Sequence, residues 1–343
     1  MDEILIEGAT RILVLRGVPD AAALLGERSE IPAVAVVTQP GAARVARGVA
    51  RLLRSAGAAA SLRVLPDGEA AKDLAVVADL YRWLAEIGIG RHDLLMGVGG
   101  GTVTDVAGFA AATWLRGIEV VHVPTTLLGA VDAALGGKTG VNLDGKNLVG
   151  AFHHPSRVVI DVDVLDALPA ALRREGLAEA LKTGLVGDPR LVEVFEADGE
   201  QADLAEVVRR SVAVKAAVVG RDFREAGERE VLNYGHTIGH AVEVATGARH
   251  GPAIAIGMVA AGRASSLLAG FAEEARQRDL IARLGLPTAA TGAGRERILE
   301  LAALDKKRGR SGLRMVLLAA VGEPRVLPVD SATVDAALQA IGV

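Results

Sequence analysis

The chain has 343 residues, half of them apolar, enough for two domains and a large core. A formal net charge of −4 excludes a global field that recruits nucleic acid or an acidic membrane, and the lack of cysteine excludes disulfides, thiolate ligands and a cysteine nucleophile. Met1-Asp2-Glu3-Ile4 lacks the basic and apolar regions of a signal peptide, and no apolar run approaches the ~18 residues of a membrane span, so a cytoplasmic protein is expected.

From Arg11 to about Asp163, short β-rich runs alternate with helical stretches, which predicts βαβ units and a largely parallel sheet. The expected strands are Ile12–Leu15, Ala33–Val37, Leu62–Leu65, Leu94–Val98, Glu119–Val123 and Val158–Val162, with helices near Ala42–Ala56, Ala70–Ile87 and Asp105–Leu115. After Pro169 the pattern reads as helix after helix, up to a short strand or hairpin at Leu313–Leu318. The boundary is set at Leu168-Pro169. It divides the chain into an α/β domain (1–168), Rossmann-like but without GxGxxG, and an all-α domain (169–343).

Three loops of the first half suit small-molecule binding. Pro66-Asp67-Gly68-Glu69 with Lys72 suits a ribose, although a helix cap by Asp67 is the simpler expectation. Gly97 to Asp105, through Gly99, Gly100, Gly101, Thr102, Val103 and Thr104, runs from a buried strand into a helix, where the leading N–H groups form an anion site for a pyrophosphate. A tight structural turn explains the glycines equally well. Pro124-Thr125-Thr126, Asp132, Gly136-Gly137-Lys138, Asn142 and Gly145-Lys146-Asn147 supply donors for phosphate and hydroxyls at a strand's C-terminal end.

In the second half, Glu179 and Lys182 lie three residues apart in an apolar helical run, so on one face. His236 and His240 share a helix face, and His250 follows the Thr246-Gly247 break. A carboxylate joining two imidazoles gives Zn²⁺ three ligands and an open position, the arrangement of a catalytic ion. The competing reading is a core histidine pair satisfied by carbonyls. Gly235 and Gly239, each preceding a histidine in an expected helix, imply that something needs bare backbone there. Lys215 is one charge in an apolar stretch, either partnered or snorkelling to the surface. Arg229 suits a planar carboxylate, and the basic turn around Lys306 suits a phosphate.

Several of these runs resemble the 3-dehydroquinate synthases. They are Gly99 to Gly117, Pro124-Thr125-Thr126-Leu127-Leu128, Asp132 to Gly140, Gly145 to Phe152, Gly176 to Lys182 and Leu232 to His240, in the family's order. The resemblance implies a dehydroquinate synthase-like fold, an NAD-binding α/β domain and a helical domain, with the active site in the cleft. It implies one divalent ion, Zn²⁺ or Co²⁺, on Glu179, His236 and His250, which moves His240 from ligand to substrate contact. It implies NAD on Asp67, Gly68, Glu69, Lys72, Gly101, Thr102, Val103, Thr104, Asp105, Thr125, Thr126, Lys138 and Lys146. Substrate binding and proton transfer would fall to Asp132, Lys138, Asn147, Lys182, Lys215, Arg229, Asn233, His240 and Lys306, with Arg116 reaching the neighbouring subunit of a homodimer.

The implied reaction takes 3-deoxy-D-arabino-heptulosonate 7-phosphate to 3-dehydroquinate. It proceeds by transient NAD-dependent oxidation, phosphate elimination, re-reduction and internal aldol closure, with no nucleic acid or membrane partner. Rival readings are a sister sugar-phosphate cyclase of the amino-dehydroquinate or valiolone type and an NAD-dependent metal alcohol dehydrogenase. Departures from the family pattern are Pro252 after His250-Gly251, Phe223 after Asp222, a loop between His240 and His250 about three residues shorter than usual, and the stretch Asn142 to Lys146, about one residue short.

Overall fold

The computed structural model describes all residues except 7, 29, 293 and 307–312, with residues 303–306 described by backbone alone. In chain order the first half reads β1 (Asp2–Ile6), β2 (Thr10–Leu15), α1 (Ala21–Leu25), β3 (Val34–Thr38), α2 (Ala43–Ser55), β4 (Ala60–Val64), α3 (Leu74–Glu86), β5 (Leu94–Gly99) and α4 (Gly101–Thr113). It continues with β6 (Glu119–Pro124), β7 (Lys138–Val141), β8 (Val149–Phe152), β9 (Arg157–Asp161) and α5 (Val162–Asp166).

Seven strands form one sheet in the order β1-β2-β9-β6-β5-β3-β4, in which only β1 runs antiparallel to its neighbour. Every residue of β3 and β5 is buried, as a parallel sheet covered on both faces requires. Period-2 alternation then divides the side chains between two cores. Val34, Val36, Leu94 and Met96 pack with Leu24 and Leu53, while Ala35, Val37 and Leu95 pack with Leu80, Leu84, Val106 and Phe109. Each fully buried Val or Leu contributes about 1.5–3 kcal/mol. The chain passes from β3 outward to β4 and returns across β3 to β5, so connections diverge at the β3–β5 junction. In open parallel sheets, ligands bind beyond the strand C-termini at such a switch.

The second half comprises α6 (Ala170–Gly187), α7 (Pro189–Asp198), α8 (Leu204–Arg221), α9 (His236–Thr246), α10 (His250–Leu268), α11 (Glu274–Arg283), α12 (Arg295–Lys306), β10 (Arg314–Ala320), β11 (Glu323–Pro328) and α13 (Ser331–Ala340). It is helical but not all-α, because β10 and β11 pair as an antiparallel hairpin. The chain divides into two compact units, Met1–Leu168 with Lys215–Arg224, and Pro169–Val214 with Glu225–Val343. The end of α8 from Lys215, assigned to the second half from sequence, thus groups with the first.

Other expectations are corrected. The polar, glycine-rich stretch 138–152 contains a β-hairpin, β7 with β8, in which Thr139 pairs with Ala151 and Val141 with Val149. Helix α3 begins at Leu74 because Asp73, not Asp67, caps it by accepting from Ala75 N–H. Asp67 precedes the 3₁₀ turn Gly68–Lys72 without a side-chain cap bond. Helix α4 starts four residues earlier than its glycines suggested. Helix α10, at 19 residues, is long and apolar enough to span a membrane, contrary to the sequence count, but 72% of that window is buried inside the protein. It is a core helix. Pro252 lies in its first turn, where a missing N–H costs nothing.

Candidate active site

Helix α6 is buried all round from Gly176 to Val186, so its Glu179–Lys182 pair has no solvated face. Glu179 is 0% and Lys182 2% exposed. Lys182 Nζ lies 2.5 Å from Glu179 Oε2, and Glu179 Oε1 faces His236 Nε2 at 3.6 Å and His250 Nε2 at 3.3 Å. Neither carboxylate oxygen has hydrogen-bond geometry to any of these neighbours. The carboxylate is charge-paired with Lys182 but not hydrogen-bonded, and a buried anion in that state is one that a further cation would satisfy.

The imidazoles are delivered by α9 and α10. His236 opens α9 after Gly235, whose φ of +79° is left-handed, and His250 opens α10. Gly235 is therefore a cap, not a helix-interior residue. A Cβ on Gly257 would lie 1.9 Å from the Gly235 carbonyl oxygen, and one on Gly239 would lie 2.8 Å from Ile254 Cδ1. These glycines let α9 and α10 touch backbone to backbone. The bare backbone serves helix packing.

Each ligand-type imidazole has an acceptor at Nδ1: the Tyr234 carbonyl at 3.1 Å for His236, and Glu243 Oε2 at 2.9 Å for His250. With Nδ1 held by its acceptor, each Nε2 faces Glu179, and its lone pair is available to a cation that displaces any proton there. The donor atoms of Glu179, His236 and His250 all lie within 4.8 Å of one another, a set that fits a tetrahedral divalent ion with an open position. His240, exposed on α9, has its ring 5.1 Å from that of His236 and 5.8 Å from that of His250. It clusters with Glu243 and His250 instead.

Burial alone would raise Glu179, but Lys182, then His236 and His250, hold its carboxyl well below the usual range. Burial drives His236 down to about 3. Burial also opposes charge on His250, yet Glu179 and Glu243 outweigh it and lift that group to about 10. The cluster draws positive charge toward Glu179.

In the same unit Arg229 is 3% exposed in the 3₁₀ turn Glu228–Asn233, and Asn233 Nδ2 donates to Glu225 Oε1 at 3.4 Å. Glu225 itself has φ +56°, a strained value for a non-glycine residue. Sequence reading missed Glu225 and Glu243. The second was detectable, since Glu243 lies seven residues after His236 and three after His240, on the same helical face. Lys306 ends α12, but its side chain lies outside the described residues.

The first unit holds the remaining candidates. Gly101 and Thr102 open α4, and as its leading residues their N–H groups lack intrahelical acceptors. The preceding glycine is needed for packing, because a Cβ on Gly99 would meet Val103 Cγ2 at 2.5 Å. Val103 and Thr104 are buried, Thr104 Oγ1 donates to the Gly101 carbonyl at 3.0 Å, and Thr125 N–H donates to the Gly99 carbonyl at 2.9 Å. Thr126 Oγ1 accepts from Gly129 N–H at 3.1 Å.

Lys72, 4% exposed, donates to Asp105 Oδ2 at 2.6 Å and to Asn147 Oδ1 at 2.8 Å. Burial pushes Asp105 up to about 6 despite Lys72. Asn142 Nδ2 donates to Glu69 Oε2 at 2.9 Å and its Oδ1 accepts from Asn147 N–H at 2.9 Å, so three of the polar loops are cross-linked. Lys138 and Lys146 are exposed. Lys215 is not snorkelling; its Nζ donates to the Asp132 carboxylate and, at 2.7 Å, to the Asp132 carbonyl within the π-helical turn Gly129–Ala133. Phe223 stacks on His154 with ring centroids 3.6 Å apart, which gives that departure a packing role. Arg116 is exposed and, with Leu115 and Gly117, forms a run of positive φ (51°, 70°, 121°) that turns it outward from the end of α4.

Two family descriptions match the chain, 3-dehydroquinate synthase N-terminal over residues 62–175 and 3-dehydroquinate synthase C-terminal over residues 176–308. The 3-dehydroquinate synthase of Thermobifida fusca (strain YX) is 46% identical over 316 residues, covering 89% of this chain and 85% of that one. Among solved structures, 2-epi-5-epi-valiolone synthase from Streptomyces hygroscopicus subsp. jinggangensis 5008 with NAD⁺ and Zn²⁺ bound superposes with a TM-score of 0.87 at 28% identity, covering 100% and 99% of the two chains. A 2-deoxy-scyllo-inosose synthase complexed with carbaglucose-6-phosphate, NAD⁺ and Co²⁺ gives 0.86 at 26% identity, covering 99% of each.

Proposed function

The chain belongs to the 3-dehydroquinate synthase family, and we infer that it acts as one, a carbon–oxygen lyase that converts 3-deoxy-D-arabino-heptulosonate 7-phosphate to 3-dehydroquinate and phosphate. The observation that carries this reading furthest is the convergence of His236 and His250 on the fully buried Glu179 carboxylate, which no hydrogen bond satisfies. When bound, NAD⁺ accepts and returns a hydride while a divalent ion polarises the alcohol oxygen and acidifies the neighbouring C–H.

The chain's own part is positioning and charge. Glu179, His236 and His250 would hold the ion. Lys182, fixed against Glu179, gives or takes the proton of the substrate alcohol. Lys215 fixes the Asp132 turn, so that Asp132 accepts from a substrate hydroxyl instead of moving away. Arg229 pairs with the carboxylate, and Asn147, His240 and Lys306 receive the phosphate, with Lys138 and Asn233 on hydroxyls. The first N–H groups of α4, at Gly101 and Thr102, take the pyrophosphate of NAD. Asp67 to Lys72, Thr125, Thr126 and Lys146 surround the rest of it. A homodimer in the cytoplasm, with Arg116 serving the neighbouring site, completes the proposal.

A phosphate-release assay on metal-stripped enzyme supplemented with Zn²⁺ or Co²⁺ tests it. Release is expected with the carboxylated heptulosonate phosphate, without accumulation of free NADH. Turnover of sedoheptulose 7-phosphate alone would favour the valiolone-type sister activity, and steady NADH growth would favour a dehydrogenase.

A further inference from the structure

The two imidazoles of the proposed metal centre are supported differently. His236 donates through Nδ1 to a backbone carbonyl, that of Tyr234, at 3.1 Å. That carbonyl is well anchored: Tyr234 is buried, its hydroxyl donates to Gln277 Oε1 at 2.8 Å, and Gln277 Nε2 donates to the Met258 carbonyl at 2.6 Å. His250 has no such frame. Its side chain is 28% exposed, against 12% for His236 and 0% for Glu179, and it follows the left-handed Gly247 turn as the first residue of α10.

We propose that Glu243 is the positioning residue of this centre. Its Oε2 receives the His250 Nδ1 hydrogen at 2.9 Å, which sets the tautomer and the ring plane. Nε2 is thereby aimed at the point shared with Glu179 and His236, and once a cation displaces its proton the anionic acceptor makes Nε2 a stronger donor than a carbonyl partner would. Glu243 can do this because α9 and α10 are locked together, backbone against backbone, at Gly235 and Gly257. The carboxylate on one helix and the imidazole on the other therefore keep their spacing. The asymmetry follows from burial: the enclosed histidine needs only a carbonyl, while the open one needs a charged acceptor. Glu243 touches neither substrate nor ion in this role; it acts through His250.

The inference rests on the metal assignment above, and its test separates the two. Co²⁺ is titrated into the full-length metal-free protein, wild type, Glu243→Ala and Glu243→Gln, with the dissociation constant and the visible Co²⁺ absorption as readouts and the melting temperature of each metal-free protein alongside. Glu243→Ala is expected to weaken Co²⁺ binding roughly 10–100-fold and to change the absorption band. Its metal-free melting temperature is expected to fall slightly through loss of the His250–Glu243 pair, so the dissociation constant and the band decide the question. Glu243→Gln, which retains an oxygen acceptor without the charge, is expected to recover the wild-type band and only part of the affinity. If wild type takes no Co²⁺, the metal assignment itself fails. If wild type binds and Glu243→Ala binds with the same constant and band, Glu243 has no positioning role.

Discussion

Lys182→Met examines the electrostatics of the centre directly. The lysine and Glu179 are both almost completely buried, 2.5 Å apart, in the part of α6 that is buried all round. Removing one partner of such a pair strands the other, at a cost of about 3–5 kcal/mol. A protonated His250, 3.3 Å from Glu179, offsets part of that, so the low end of the range is expected. In a unit of this size each kcal/mol moves the melting temperature by about 2–4 °C, so metal-free Lys182→Met should melt roughly 10 °C below wild type. Two conditions make the argument specific. Zn²⁺ supplies the missing positive charge and should restore most of the loss, giving the variant a larger metal-induced shift than wild type. Glu179→Gln combined with Lys182→Met removes the stranded charge and should melt above Lys182→Met alone. Calorimetry of the full chain with chelator and with Zn²⁺ reads both. A fall of the same size in the two conditions, with no recovery in the double variant, would refute the reasoning, as would near-normal turnover by Lys182→Met.

Three further outcomes follow from other parts of the molecule. Asp105 takes up a proton at about 6 in the folded chain, above its ordinary 3.8, so the folded state binds the proton more tightly and this group's contribution to stability falls as pH rises between those values. Asp105→Asn also strands Lys72 at both pH values, so what is expected is a shift of the variant's stability relative to wild type, in its favour by at most ~3 kcal/mol, between pH 4 and pH 7.5; denaturant melts at the two pH values check this. Gly257→Ala places a Cβ 1.9 Å from the Gly235 carbonyl oxygen, a backbone clash that should cost about 1–3 kcal/mol and weaken Co²⁺ binding, read by melting and titration. Mixing inactive Arg116→Ala with inactive Lys182→Met and allowing subunits to exchange should regain about a quarter of wild-type turnover if Arg116 serves the neighbouring site; no regained activity would show that it does not.

The sheet was legible because its strands are continuous apolar runs between turn residues, and β3, β5 and β6 fall within a residue of the expected bounds. What escaped was structure whose sequence carries a second message. Residues 138–152 look like a ligand loop because they are rich in glycine, lysine and asparagine, yet a two-stranded hairpin needs little apolar content when α4 packs against it, and Thr139 is buried there. The strand β1 has a mostly exposed burial pattern, so its alternation is faint. In the candidate site, residue types that are rare in apolar surroundings stood out: Glu179, Lys182 and Lys215. Glu243 did not, because a glutamate on a helix beside exposed neighbours looks solvated until α10 brings His250 to it.

The glycines are the sharper lesson. Gly99 reads in the sequence as part of a ligand loop or a tight turn, and Gly235 and Gly239 as places that need bare backbone; the structure fills the space beside each of them with protein: Val103, Met258 and Ile254. The two explanations are not rivals, because a ligand-type side chain must be held to a fraction of an ångström and close helix contact is the means of holding it. With a larger residue at Gly239 or Gly257, α9 and α10 would separate, and His236 and His250, which open those two helices, would separate with them. A glycine next to a histidine thus marks the site indirectly. It reports how tightly the elements carrying the imidazoles must meet, and only their meeting sets the spacing around Glu179.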